Sequence, residues 1–189
     1  MLKNEARKIY REKRDALSSA EREKLNDLLL IQFQKVDLPF LHTILSYLPI
    51  EENKEPNTNL ISGFLEFRNP ALNFAYPKIN AETRTMQAVL ANADTAFQKG
   101  IYNILEPLSD HFISPEAFDI VLVPLLICDR KGFRVGYGKG FYDRYLPHCR
   151  IDCIKVGLLY FEPIDEITDR DEFDVPLDLC ITPQNVYVF

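Results

Sequence analysis

The chain has little of several things. Its 189 residues include only seven glycines, four cysteines and three histidines. No run approaches the ~18 apolar residues of a membrane-spanning helix, so no membrane partner is expected. The first residues, Met1-Leu-Lys-Asn-Glu-Ala-Arg-Lys8, are charged from Lys3 onward and hold no apolar leader. The expected location is therefore cytoplasmic. Cys128, Cys149, Cys153 and Cys180 form no C-x-x-C pair and have no matching histidines for zinc. In a reducing compartment they read as free thiols packed like small apolar side chains. His42, His111 and His148 are scattered, which argues against a histidine-centred nucleophile. A basic excess is also missing. Lys and Arg number 22 against 28 Asp and Glu, a net charge of −6, and this excludes a general nucleic-acid binder. A local basic pocket for a small anion remains compatible with an acidic protein. There is no internal repeat or low-complexity linker, so residues 1–189 read as one domain.

What is present is a hydrophobic fraction of 47%, ample for one core. Residues 2–16 predict a charged helix. Ser18-Ser-Ala-Glu21 is a capping-box pattern opening a second helix to about Lys35. His42–Leu48 reads as a short strand ended by Pro49. Asn57 or Thr58 starts a helix that Asn69-Pro70 stops. Leu72–Tyr76 and Thr85–Leu90 read as strands, and 91–116 has no clear assignment. Asp119-Ile-Val-Leu-Val123 is an unbroken apolar run, the pattern of a strand buried on both faces. Ile154–Leu159, Asp178–Thr182 and an edge segment Val186–Phe189 follow. Strands alternating with helices predict an α/β fold with a mainly parallel sheet flanked by helices.

Four of the seven glycines, 132, 136, 138 and 140, fall within Asp129–Arg144, together with Arg130, Lys131, Arg134, Lys139 and Arg144. This basic island follows the buried strand and precedes a predicted helix over Phe141–Pro147. In open α/β sheets that is where ligands sit, and a helix N-terminus there favours an anion. The segment is neither a Walker A loop nor G-x-G-x-x-G. Its pattern is Gly136-x-Gly138-x-Gly140-Phe-Tyr-Asp143.

Arg134-Val-Gly-Tyr-Gly-Lys-Gly-Phe-Tyr-Asp-Arg144 resembles the signature of the 5-formyltetrahydrofolate cyclo-ligase family. The likeness extends over most of the chain: Lys3-x-x-x-Arg7, Arg14-Asp-Ala-Leu-Ser18, Ser46-Tyr-Leu48 followed by Glu55 and Thr58, Gly100-Ile101, Glu106-Pro107, and Asp174-x-x-x-Asp178. The resemblance implies a Rossmann-like fold, shared in outline with sugar-phosphate isomerases and acyl-CoA transferases. It implies closure of 5-formyltetrahydrofolate to 5,10-methenyltetrahydrofolate with ATP as co-substrate and Mg²⁺ as cofactor, giving ADP and phosphate. The partners would be these small molecules alone, and nothing in the sequence requires more than a monomer.

By the same resemblance, Lys3, Arg7, Arg134, Val135, Gly136, Tyr137, Gly138, Lys139, Gly140, Phe141 and Tyr142 bind ATP. Arg134, Lys139 and Tyr142 serve catalysis. Leu48, Glu55 and the Tyr137–Phe141 stretch contact folate, and Asp143 and Asp174 hold the metal. From residue type alone these roles stay open. Lys3 and Arg7 share a helix face that is equally a solvated one. Phe141 could be core, Asp143 could cap its helix or pair with Arg144, and Asp174 is one acid in a crowded stretch, Asp165–Asp178. Pro49–Glu55 reads as two residues longer than the family's loop, so Glu51, Glu52 and Glu55 compete; Thr58 at the family's spacing favours Glu55.

Overall fold

Ile120–Val123 forms the centre of the molecule. In the computed structural model, which describes residues 1–189, this strand is buried along its whole length. The elements are, in order, α1 (Lys3–Asp15), α2 (Ser19–Phe33), β1 (Thr43–Leu45), α3 (Thr58–Arg68), β2 (Asn73–Asn80), β3 (Thr85–Ala91), β4 (Phe97–Lys99), β5 (Leu105–Pro107), β6 (Phe112–Ile113), β7 (Ile120–Val123), β8 (Ile127–Cys128), β9 (Arg134–Val135), α4 (Phe141–Tyr145), β10 (Ile154–Leu158), β11 (Leu179–Ile181) and β12 (Val186–Val188).

Eight strands make one sheet in the order β12-β11-β10-β7-β1-β2-β3-β6. The middle five, β11 to β2, are parallel. The edges close with antiparallel strands, β12 on one side and β3 and β6 on the other. The neighbours β1 and β7 lead outward in opposite directions, β1 to β2 and β7 to β10. The sheet therefore has its switch point between them, with a crevice past their carboxyl ends.

Alternation along the strands separates two cores. Ile44, Ile120, Leu122, Val156, Leu158 and Ile181 face Leu29 and Phe33 of α2 and Ile61 and Leu65 of α3. Leu45, Val121 and Val123 face Ala6 and Tyr10 of α1 and Phe141 and Tyr145 of α4. Each fully buried Val, Leu, Ile or Phe among them stabilises by about 1.5–3 kcal/mol. The expected capping box opens α2: Ser18 Oγ accepts from Glu21 N, and Glu21 Oε2 accepts from Ser18 N at 2.9 Å. Asn57 caps α3 through Asn59 N.

Three expectations are corrected. β2 does not end at Tyr76 but runs through Pro77 to Asn80. Beyond Ala75 it has lost β1 as a partner, so an open edge accommodates proline's missing N–H. The unassigned 91–116 stretch holds the β4–β5 ribbon and β6. The helix after the glycines is one turn, Phe141–Tyr145, continued by a 3₁₀ turn at Leu146–His148 where Pro147 intervenes. So short a helix contributes little dipole.

Candidate active site

The sequence folds the glycine segment as a tethered hairpin with a free tip. Asp129, fully buried, accepts the N–H groups of Lys131 and Phe133 through Oδ1 and of Ile167 through Oδ2. These bonds close the β8–β9 turn and fasten it to the segment before Asp174. The chain then leaves the sheet at Val135. Gly138 and Gly140 take φ of +81° and +67°, conformations that glycine adopts without cost. Gly136 has no such need, and a Cβ there would meet nothing closer than 3.8 Å. Its value is an open approach to the backbone.

The tip of this loop floors a cavity of 430 Å³ past the ends of β1 and β7. Lys3, Arg7 and Arg11, one helical turn apart on α1, form one wall. Gly100 and Tyr102–Ile104 form another, and Ile50, Asn53, Pro124 and Asp174 complete the rim. Five cationic side chains and two carboxylates, Asp143 and Asp174, line it, a net charge of +3 inside an acidic protein. A second cavity, of 820 Å³, meets the first at these same two acids.

The predicted residues converge here except for Leu48, Glu55 and Val135, and some change their part. Lys3 Nζ is 2.7 Å from Asp174 Oδ1 and 3.4 Å from Asp171. Burial alone would lower the Lys3 ammonium, but those acids outweigh it and hold it above its ordinary value. Asp174 is thus partly buried and held, although most of the acidic stretch around it is exposed. The stretch clamps the start of α1, with Asp169 accepting the Lys3 N–H at 2.7 Å. Arg7 Nε donates to Gly136 O at 3.1 Å and fixes the glycine loop against the helix. Arg134 is buried and spoken for: it donates to Asp143 Oδ1 at 2.7 Å and to the Val175 carbonyl. Burial lowers its pKa while Asp143 and Asp174 oppose that. Asp143 therefore pairs with Arg134, not with Arg144. Lys139, exposed at the loop tip, lies 4.7 Å from the Tyr102 ring centroid. Val135 points into the core, so only its backbone is near the loop. Phe141 is both core and cavity wall.

Leu48 and Glu55 fall outside this lining and border a neighbouring cavity with Arg22 and Glu51. The cause is local. Glu55 Oε2 turns back to the Ile50 N–H at 2.7 Å, and Lys54 ties the loop to Asp15 O and Leu17 O. Glu55 meets the site from beneath, through Tyr137. Arg14, also buried, donates to the Tyr137 hydroxyl at 2.8 Å and to Leu125 O at 2.7 Å. The phenol in turn faces the Glu55 carboxylate. Burial pushes the Glu55 carboxyl up. It does the same to the Tyr137 and Tyr142 phenols. The Tyr142 hydroxyl is buried without a hydrogen-bond partner.

The sequence model of the 5-formyltetrahydrofolate cyclo-ligase family matches residues 1–183. The chain belongs to that family. A 5-formyltetrahydrofolate cyclo-ligase of Mycoplasma pneumoniae is 30% identical over 97% of the chain and all of the relative. Its counterpart in Mycoplasma genitalium is 27% identical over 95% of the chain and 96% of the relative. The solved 5,10-methenyltetrahydrofolate synthetase of Aquifex aeolicus superposes with a TM-score of 0.80 at 29% identity, over the whole chain and 93% of that protein. These cyclo-ligase likenesses fix the α/β architecture around the cavity.

Four polar or aromatic contributors escaped the sequence reading: Arg11, Asn53, Tyr102 and Asn103. Arg11 was legible as the next step of the Lys3–Arg7 spacing. Tyr102 and Asn103 carried no signal, because what brings them to the rim is a left-handed backbone at both, φ +63° and +61°. Gly100 fits behind them because a Cβ would collide with the Glu106 carboxylate.

Proposed function

We propose that this cavity carries out the reaction that names the family, joining ATP to 5-formyltetrahydrofolate and closing the methenyl ring. The observation that carries the reading is the net-positive cavity floored by the Gly136–Gly140 loop with two carboxylates at its end. A formyl amide oxygen is a poor leaving group. Its attack on the γ-phosphorus of ATP expels ADP and leaves an imidate phosphate. N10 then attacks the formyl carbon, phosphate departs with the former formyl oxygen, and N10 gives up its proton. Chemistry of this kind asks the protein mainly for alignment and charge.

The residues divide along the cavity. Lys139 and the amides of Gly136–Gly140 suit the phosphates, with Arg7 holding the loop. Arg134 fixes Asp143 rather than touching phosphate directly. Tyr142, with an unpartnered buried hydroxyl, is a donor available to a ligand oxygen. Tyr137, braced by Arg14 and Glu55, is the floor for the folate, so Glu55 acts through Tyr137 and Leu48 supports the loop that carries it.

The donor set also fits magnesium. Asp143 uses only Oδ1 for the protein, leaving Oδ2 free, and Asp174 lies on the same wall with Lys3 as its counter-charge. Magnesium takes one or two protein carboxylates and fills its shell with phosphate and water. When bound, Mg²⁺ would neutralise charge developing on the phosphates. We further propose that the chain acts as a single domain in the cytoplasm. No helix is long and apolar enough to cross a membrane.

The test is incubation of the purified chain with 5-formyltetrahydrofolate, following the methenyl chromophore. Absorbance should rise only when ATP and Mg²⁺ are both present. Folded protein that gives no rise with both would sink the proposal.

A further inference from the structure

We propose that Arg11 binds a tail carboxylate of the folate and thereby selects for a substrate carrying its glutamate. The proposal rests on the cyclo-ligase reading of the cavity. Of the five cations in the lining, four have partners or places that account for them. Lys3 pairs with Asp174, Arg134 with Asp143, Arg7 with Gly136 O and Asn4, and Lys139 sits on the phosphate loop. Arg11 lines the same cavity. Its side chain makes no hydrogen bond or ion pair, and its guanidinium rests 5.8 Å from the Tyr137 ring centroid.

Position along α1 separates Arg11 from the phosphate end. Lys3 marks the end with the acids. Arg11 lies eight residues further, about 12 Å along the axis at 1.5 Å per residue. There Arg14, Tyr137 and Glu55 meet, and α1 touches the turn Glu51–Asn53. Asn53 shares this rim, and its side-chain amide is also unpartnered. Arg11 itself is exposed. An arginine at the mouth, stacked on an aromatic ring with its fork free, suits a carboxylate that stays partly hydrated. Charge agrees. The lining carries +3, and a magnesium–triphosphate complex leaves part of that uncompensated for a second anionic substrate. Of the two substrates, only the folate ends in carboxylates.

The alternative occupant is a phosphate of ATP, and the two are separable. The Michaelis constants of Arg11→Ala and Arg11→Lys are measured for 5-formyltetrahydrofolate, for ATP, and for a 5-formyl tetrahydropteroate lacking the glutamate. Because Arg11 is exposed and unpaired, both variants should keep the wild-type melting temperature. Arg11→Ala should raise KM for the intact folate roughly tenfold, the loss of one charge-assisted hydrogen bond. KM for ATP and for the tail-less folate should stay within twofold, and Arg11→Lys should recover part of the loss. A rise in KM for ATP, an equal rise for both folates, or no change overturns the assignment. Wild-type protein that turns over neither folate overturns the cyclo-ligase reading itself, a different failure.

Discussion

Gly138 and Gly140 have positive φ, whereas Gly136 has ordinary backbone and open space around it. Gly138 and Gly136 should therefore answer alanine differently. Gly138→Ala puts a Cβ into a left-handed position and should cost about 1 kcal/mol of stability. Gly136→Ala should leave stability within about 0.5 kcal/mol yet weaken nucleotide binding, because its Cβ enters the cavity. Chemical denaturation and calorimetry with ATP separate the two effects. Equal destabilisation at both positions would contradict this division. Lys139 and Asp143 make a second contrast. Lys139→Ala removes an exposed charge from the loop tip and should raise KM for ATP roughly tenfold with the folate's KM little changed. Asp143→Asn keeps an acceptor for Arg134, so the fold should persist while turnover falls by ~10²-fold or more. Steady-state rates across a Mg²⁺ titration test it; an unaltered Mg²⁺ dependence would remove Asp143 from the metal.

Among elements, Asp119 at the start of β7 holds the sheet's centre together. Its carboxylate accepts the His42 and Thr43 N–H groups at 2.6 and 2.9 Å, and Arg150 at 2.8 Å. Burial acts to raise its pKa, but the Arg150 and backbone hydrogen bonds win and depress it. A depressed carboxylate stabilises above its unfolded value and loses that contribution as pH falls through the folded one. Asp119→Ala should cost about 1–3 kcal/mol near neutrality, and the gap from wild type should narrow below about pH 4. Glu55 has the opposite sign. Burial raises its carboxyl, so its contribution is present below the ordinary carboxylate range and lost as pH rises through the folded pKa. Glu55→Gln should flatten that loss. Urea denaturation of both variants across pH 3–8 checks both slopes, and a parallel pH dependence in all three proteins would refute them.

The same elements mark what the sequence could convey. The buried run at β7, the Ser18 capping box and the glycine loop all rest on local pattern, and each is where the residues put it. The β4, β5 and β6 strands hold two or three residues each, too few to show a period. The inward turn of Glu55 depends on bonds from Lys54 to α1, thirty-seven or more residues away in the chain. The clamp of Asp174 on Lys3 joins distant segments, and the Arg134–Asp143 pair closes across the bend of the glycine loop, so residue type named these members without giving their partners.

At the scale of the whole molecule, the crevice past β1 and β7 collects segments from both ends of the chain: α1, the Ile50–Asn53 turn, the Gly100–Ile104 rim, the glycine loop and Asp174. Ligand binding should therefore tie these segments together and raise the melting temperature. Saturation at a hundred times Kd contributes about 2.7 kcal/mol. The account's central claim is that ATP activates the formyl oxygen in this crevice. Its most direct test is turnover of 5-formyltetrahydrofolate labelled with oxygen-18 in the formyl group, with mass analysis of the phosphate released. The account predicts one labelled oxygen in each phosphate per methenyl product formed. Unlabelled phosphate alongside product would contradict it.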